Sequence, residues 1–254
     1  METTVAKAKA DAVTLFGVQV SKMNMAQTVA YLTDAVRERR PTQVVTANPI
    51  MFMTGFENDS FMRMLKNADL VVPDGAGLVW AAGRLGKPVA ERVAGYDLVQ
   101  ELFRVGAAEG WSVYLLGTSQ ELIEAARGRI EAAYPGLRIV GCRNGYFGPD
   151  EDEAVVRSVA EASPDLLLVG RSTLTQDPWI AKYRDRLNAA VMIGVGGSFD
   201  VMSGKLKRAP RWMQRMKLEW LYRLLQEPTR WKRMLVLPKF AWKVMLYGEN
   251  IRHR

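Results

Sequence analysis

A chain of 254 residues, 48% of them hydrophobic, is long enough for one full-sized core with an appendage and too apolar for general disorder. Its net charge of +8 is unevenly spread: residues 205–254 hold 14 Lys and Arg against 3 Asp and Glu, and the preceding residues 21 against 24, so the basicity belongs to the tail. The single cysteine, Cys142, excludes an intrachain disulfide or cysteine-built zinc site, and the single histidine, His253, argues against a Ser-His-Asp triad, so acid–base chemistry falls to carboxylates, Lys or Tyr.

The N-terminal stretch METTVAKAKADAVTLFG lacks the apolar run of a secretory signal. No segment reaches the roughly 18 apolar residues of a membrane span, so a cytoplasmic location is expected. VTLFGVQVSKMN predicts a small antiparallel addition, and MAQTVAYLTDAVRER an amphipathic helix. Short apolar runs ending in polar or glycine-rich turns then predict strands within 42–49, 68–75, 111–119, 137–145, 164–172 and 189–200. SQELIEAARGRIEAAY predicts a helix with Ser119 as its N-cap. Aliphatic strands alternating with helices imply a Rossmann-like α/β domain: a mostly parallel sheet with helices on both faces. Ligands of such sheets bind beyond the carboxyl ends of the strands. That rule singles out Thr46, Asn48, Asp74, Asn144, Arg171 to Gln176, and Asp200.

From Met202 onward no strand is predicted. The tail reads as two or three helices broken at Pro228 and Pro238. Trp220, Trp231 and Trp242 fall eleven residues apart, about three helical turns. The predicted division is 1–201 for the sheet domain and 202–254 for a basic helical appendage.

Four features admit competing readings. Asp74, after Pro73 and before Gly75, either caps the next helix or does chemistry at the mouth of the sheet. GAGLVW is a near miss for a dinucleotide fingerprint, with Trp80 where the third glycine belongs; a nucleotide-dependent oxidoreductase is the weaker enzyme class on that ground. Asp150 to Asp152 match an acidic metal-binding triplet, but acidic residues after a proline also suit the first turn of a helix, which is the better reading. The tail could bind nucleic acid, lie on an anionic membrane, or be a solvated face. Trp, Leu, Met and Tyr interleave with its Arg and Lys and no nucleic-acid motif is present, which favours the membrane.

Several segments together resemble the WecB/TagA/CpsF family of bacterial glycosyltransferases. They are TANP at 46–49, ADLVVPDGAGLVWA at 68–81, ERVAGYDL at 91–98, and GVGGSFDVMSGKLKRAPRWMQRMKLEWLYRLLQEPTRWKR at 194–233. The resemblance implies transfer of a sugar from a UDP-sugar to a polyprenyl-diphosphate-linked sugar at the inner face of the cytoplasmic membrane. The products would be polysaccharides of the teichoic acid, common-antigen or exopolysaccharide type. It further implies inversion at the anomeric carbon, no metal and no cofactor, and an appendage that closes the site against an anionic membrane. A homo-oligomer is possible in such a protein, and no nucleic-acid partner is expected.

Matched residue by residue, the family's proposed base is Asp74, supported by Thr46, and the arginine of its RV-G-DL motif is Arg92. Arg223, Arg230 and Arg233 match arginines that reach the nucleotide diphosphate; Asn48 and Gln176 complete the expected substrate contacts. Partial desolvation at the strand end should raise the Asp74 pKa toward the range of a general base. One segment departs: where the family has G-SPKQE-W, this chain reads GRSTLTQDPW, with Leu174 and Thr175 for Pro-Lys and Asp177 for Glu. The altered loop bears on donor choice, and it leaves a catalytically impaired, membrane-bound assembly partner as the alternative reading.

Overall fold

The computed structural model describes residues 12–216 and 218–253; of Arg230, Asn250, Arg252 and His253 only the backbone is described. Strands β1 (Ala12–Leu15) and β2 (Val18–Ser21) pair antiparallel as a hairpin, as the sequence predicts. Its two turn residues, Phe16 and Gly17, both take positive φ, the backbone of a tight hairpin turn matched to strand twist.

The main sheet has six strands: β3 (Thr42–Ala47), β4 (Leu70–Pro73), β5 (Ser112–Gly117), β6 (Arg138–Arg143), β7 (Leu166–Gly170) and β8 (Val191–Gly194). Their order is β4-β3-β8-β7-β5-β6, every neighbouring pair parallel. Helices α1 (Met25–Arg37), α2 (Pro49–Glu57), α3 (Asp59–Asn67), α4 (Ala76–Arg84) and α5 (Gly95–Glu109) precede β5. Helices α6 (Gln120–Ala133), α7 (Asp152–Ala162), α8 (Thr173–Tyr183) and α9 (Ser198–Met202) follow it.

Period-two alternation assigns each strand residue to one of two covered faces. Val44, Leu70, Val72, Val113, Leu115, Leu166, Leu168 and Ile193 pack with α1, α5 and α6. Val45 and Val71 face α2, α3 and α4 on the other side. Tyr114, Leu116, Leu167, Val169 and Met192 continue that side against α7 and α8.

One local expectation holds in position but not in bonding. Ser119 occupies the N-cap position of α6 but its side chain makes no capping bond. The full capping box opens α1 instead: Asn24 Oδ1 accepts from the Gln27 amide at 2.9 Å, and Gln27 Oε1 accepts from the Asn24 amide at 3.0 Å.

Residues after α9 form α10 (Arg211–Arg215), α11 (Glu219–Gln226), α12 (Trp231–Met234) and α13 (Val236–Tyr247). A 3-10 turn at Pro228–Arg230 provides the break expected at Pro228. The break expected at Pro238 falls just before it: α12 ends at Met234, α13 begins at Val236, and Pro238 stands in the first turn of α13, where its missing N–H would have no helical partner. Trp220, Trp231 and Trp242 are all exposed on three separate helices. The tail is nevertheless anchored. Phe240, Val244 and Ile251 are buried in the cluster that holds Leu15, Phe16, Phe52 and Leu78, with the Phe16 and Phe240 rings edge to face at 6.1 Å. Among the described residues no helix is long and apolar enough to cross a membrane.

Candidate active site

Asp74 begins the turn out of β4. Its amide and that of Gly75 donate to the carbonyl of Ala47 at the end of β3, at 2.9 and 3.3 Å, so two adjacent strand ends define the turn. Helix α4 is capped by Gly75 without any side-chain bond, so Asp74 is not its cap. The carboxylate turns instead toward Arg92: Oδ1 accepts from Nη2 at 3.1 Å and Nε at 3.3 Å, and Nε also donates to the Asp74 carbonyl. The Gly95 amide favours the ionised form of the same carboxylate. Burial pushes the Asp74 carboxyl above its ordinary range, against the pull of Arg92 and the Gly95 amide; nearby Glu219 adds to the rise. The side chain keeps 27% of its surface, open to the cavity described below.

Glycines here serve close packing. A Cβ on Gly75 or Gly77 would come within 2.6 or 2.9 Å of the Pro49 ring, and one on Gly95 within 3.1 Å of Thr46 Oγ1. GAGLVW therefore owes two of its glycines to the Asn48-Pro49 turn that opens α2. Asn48 caps that helix, with Oδ1 accepting from the amides of Ile50 and Met51 at 3.0 and 3.2 Å.

The second wall is the turn after β8. Gln176, in α8, accepts from the Gly196 amide at 2.9 Å through Oε1 and donates to Asp177 Oδ2 at 3.3 Å through Nε2. It braces the turn, with both ends of its amide engaged. Arg223 Nη2, from α11, donates to the Gly197 carbonyl at 3.0 Å. A Cβ on Gly197 would meet that nitrogen at 2.0 Å, so the turn is bare in order to receive it.

Asp177 is 1% exposed, and its Oδ1 has no hydrogen-bond partner among the described residues. Burial raises its pKa to about 7, with Gln176 only partly opposing the shift. A folded-state pKa above the unfolded one means stability that is whole below about pH 4 and is lost as pH rises through about 7. Asp177→Asn should therefore flatten the pH dependence of thermal unfolding between about pH 4 and 8, a difference on the order of 4 kcal/mol. Its pH-independent packing cost cancels in that comparison. An unchanged slope would mean that Asp177 ionises freely in the fold.

These elements enclose a cavity of about 560 Å³ beyond the carboxyl ends of β3, β4, β7 and β8. Thr46, Asn48, Asp74, Arg92, Gln176, Arg223 and Arg233 all line it. The Arg230 side chain lies outside the described residues. Asn144 and Asp200 are not in the lining. Asn144 holds its own loop, accepting from the Tyr146 amide at 3.1 Å, and Asp200 is 3.5 Å from Lys205 Nζ. Among the described residues, the lining carries six cationic side chains, with Arg171, Lys207 and Arg208 beside the three arginines already named, against two carboxylates, Asp74 and Glu219. Such a balance suits an anion.

Glu219, Arg208 and Tyr96 were not singled out from the sequence. Arg208 pairs with Asp97 at 2.6 Å, lies over the Tyr96 ring at 4.8 Å, and reaches Glu219 at 3.6 Å. Glu219 in turn accepts from Arg92 Nη1 at 2.8 Å. More than 100 residues separate the partners Arg92 and Glu219, so no spacing signals the contact. The acidic triplet has a structural use. Asp152 accepts from Trp179 Nε1 at 2.8 Å and Tyr183 Oη at 2.7 Å, tying α7 to α8, and Glu151 pairs with Arg143 at 2.8 Å.

The sequence profile of the Glycosyl transferase WecG/TagA/CpsF family matches residues 13–254. An N-acetylglucosaminyldiphosphoundecaprenol N-acetyl-beta-D-mannosaminyltransferase of Bacillus subtilis is 33% identical over 238 residues, 93% of this chain and 92% of its own. The protein of that name in Bacillus spizizenii is 38% identical over 202 residues, 80% and 78% of the two chains. The one in Staphylococcus aureus is 32% identical over 209 residues, 82% of each. Matches of this extent make the chain a member of the WecG/TagA/CpsF family of glycosyltransferases.

Proposed function

We propose that the protein transfers a sugar from a UDP-sugar to a polyprenyl-diphosphate-linked saccharide, with inversion and without a metal ion, at the cytoplasmic face of the bacterial membrane. The observation that carries this reading is the cavity itself: one partly desolvated carboxylate at a strand end, facing a surplus of guanidinium and ammonium groups. Asp74 takes the proton of the acceptor hydroxyl as that oxygen attacks the anomeric carbon. The bond to the departing diphosphate breaks on the opposite side of the sugar, which gives inversion. A raised pKa makes Asp74 a stronger base than a solvated aspartate. Thr46, packed under Gly95, supports the acceptor side.

The growing charge on the UDP leaving group is met by Arg223 and Arg233, with Arg230 from the same segment; planar guanidinium groups pair with phosphate oxygens two at a time. Gln176 contributes by holding the Gly196-Gly197 turn on which Arg223 rests. The relatives' names point to an N-acetylglucosaminyl-diphosphoundecaprenol acceptor and an N-acetylmannosaminyl donor, and we propose that class of substrates here. Cell-surface polysaccharide assembly is the process such a product would enter.

Membrane attachment rests on the tail. Trp212, Trp220, Trp231 and Trp242 are exposed among its Lys and Arg residues. Tryptophan prefers the membrane interface, and each cation near anionic lipid contributes about 1 kcal/mol. We propose 1–201 as the chemical scaffold and 202–254 as the segment that closes the site and meets the membrane.

The direct test is UDP release on mixing the protein with UDP-N-acetylmannosamine and an N-acetylglucosaminyl-diphospho-lipid. Acceptor-dependent release supports the reading; no release with any UDP-sugar would favour the impaired assembly partner. Gly197→Ala gives a finer expectation. The new methyl displaces Arg223 from the turn, so turnover should fall about tenfold or more. Vesicle sedimentation should be unchanged, because no exposed tail residue is altered. Equal loss of both would mean that Arg223 serves the surface rather than the diphosphate.

A further inference from the structure

We propose that Glu219 is a positioning residue that shares Arg92 with Asp74, so that seating α11 in the cavity keeps the base strong. The inference rests on Asp74 being the base. Its geometric ground is a chain of alternating charge: Asp97, Arg208, Glu219, Arg92, Asp74. Arg208 holds Asp97 at 2.6 Å and Glu219 at 3.6 Å; Arg92 holds Glu219 at 2.8 Å and Asp74 at 3.1 Å. The two ends of this chain belong to the sheet domain. Its middle, Arg208 and Glu219, comes from the tail.

Arg92 divides its donors. Nη2 and Nε face Asp74, while Nη1 is given to Glu219. A guanidinium shared by two carboxylates neutralises each less than it would one alone, and the Glu219 charge opposes ionisation of Asp74 besides. Both effects favour the protonated carboxyl, which is the same thing as a more basic carboxylate. With α11 away from the cavity, Arg92 belongs to Asp74 alone and fixes it as a weakly basic ion pair. The other charged groups on this cavity, Arg171, Lys207, Arg208, Arg223 and Arg233, are cations and are not among the charges that shift the Asp74 carboxyl, which are Arg92, lowering it, and Glu219, raising it. Among the described residues, Glu219 is the one lining carboxylate besides Asp74 itself, and it acts in the direction that raises the Asp74 pKa. Transfer would thus be fastest when the tail is seated, which limits loss of donor to water while the site is open.

The test compares pH profiles of kcat and kcat/KM for the full chain, with UDP-sugar donor and a soluble acceptor analogue. Glu219→Gln keeps shape and removes charge. Its acid limb should move to lower pH by about half a unit or more, and its plateau kcat should fall about two- to threefold with donor KM little changed. Glu219→Asp keeps the charge and should return the limb to the wild-type position. Glu219→Ala gives the same reading as Gln if the Gln variant does not fold. A limb that stays at the wild-type pH in the Gln or Ala variant overturns the proposal, whatever the rate. Asp74→Asn, measured alongside, separates the two claims: if it retains turnover, the base assignment fails, and if it is inactive while the limb is unmoved, the coupling alone fails.

Discussion

Asp74→Asn is expected to lower turnover about 100-fold or more while UDP binding and thermal stability change little. A lost general base typically costs that much. The amide keeps the shape, and its oxygen can still accept from Arg92 Nη2, now 3.1 Å from Oδ1. What it cannot do is take the proton of the acceptor hydroxyl. Stability should hold because burial already works against the ionised carboxylate, so removing its charge removes a cost along with an ion pair. The wild-type rate should fall on the acid side through a pKa above the ordinary aspartate value, since Asp74 must be ionised to act. Steady-state turnover beside UDP titration checks the first part. Retention of more than about a tenth of the wild-type rate would make Asp74 a structural turn residue and send the search for the base elsewhere.

Ending the chain after Val201 should abolish transfer and also destabilise the sheet domain. Arg223 and Arg233 go, and with them most of the basic tail. The second loss follows from Phe240, Val244 and Ile251, which fill the cluster formed by the hairpin, α2 and α4. Phe240 is 1% exposed, and Phe240→Ala in the full chain should by itself cost about 3–5 kcal/mol. That corresponds to a fall in Tm of roughly 10 °C. The truncated protein should melt lower still, or precipitate through the uncovered face of the cluster. A truncated chain that melts with the full-length protein would show that the helix end of the tail adds nothing to the core. Sugar transfer by it at full rate to a soluble acceptor would overturn the role of the arginines. The division at 201 and 202 is thus proposed as one of function, with folding shared across it.

Local chemistry made much of this protein legible from its sequence alone. Runs such as LLLVG at 166–170 are apolar at every position, which suits a strand covered on both faces, and the turns that follow carry the polar residues of the cavity. Strand number, parallel pairing and the position of Asp74 at a strand end follow from such local patterns. So does the concentration of charge and tryptophan in the tail. The family motifs named Arg92 and Arg223 because short fixed spacings survive as text.

Tertiary structure decided the rest, because the deciding contacts join residues far apart in the chain. GAGLVW is only a near miss for a dinucleotide fingerprint as text, and its glycines are explained by the fold, which packs them against the Pro49 ring. Gln176, a candidate phosphate donor by motif, has both ends of its amide committed to Gly196 and Asp177. Phe240 and Val244 look like the apolar half of a surface helix, since periodicity reports that a face is apolar but not what covers it. The Arg92–Glu219 pair has no local signature at all. Helical and strand periods are written by near neighbours, whereas the partner of a charge, and so its pKa, is set by whichever groups the completed fold brings within a few ångströms.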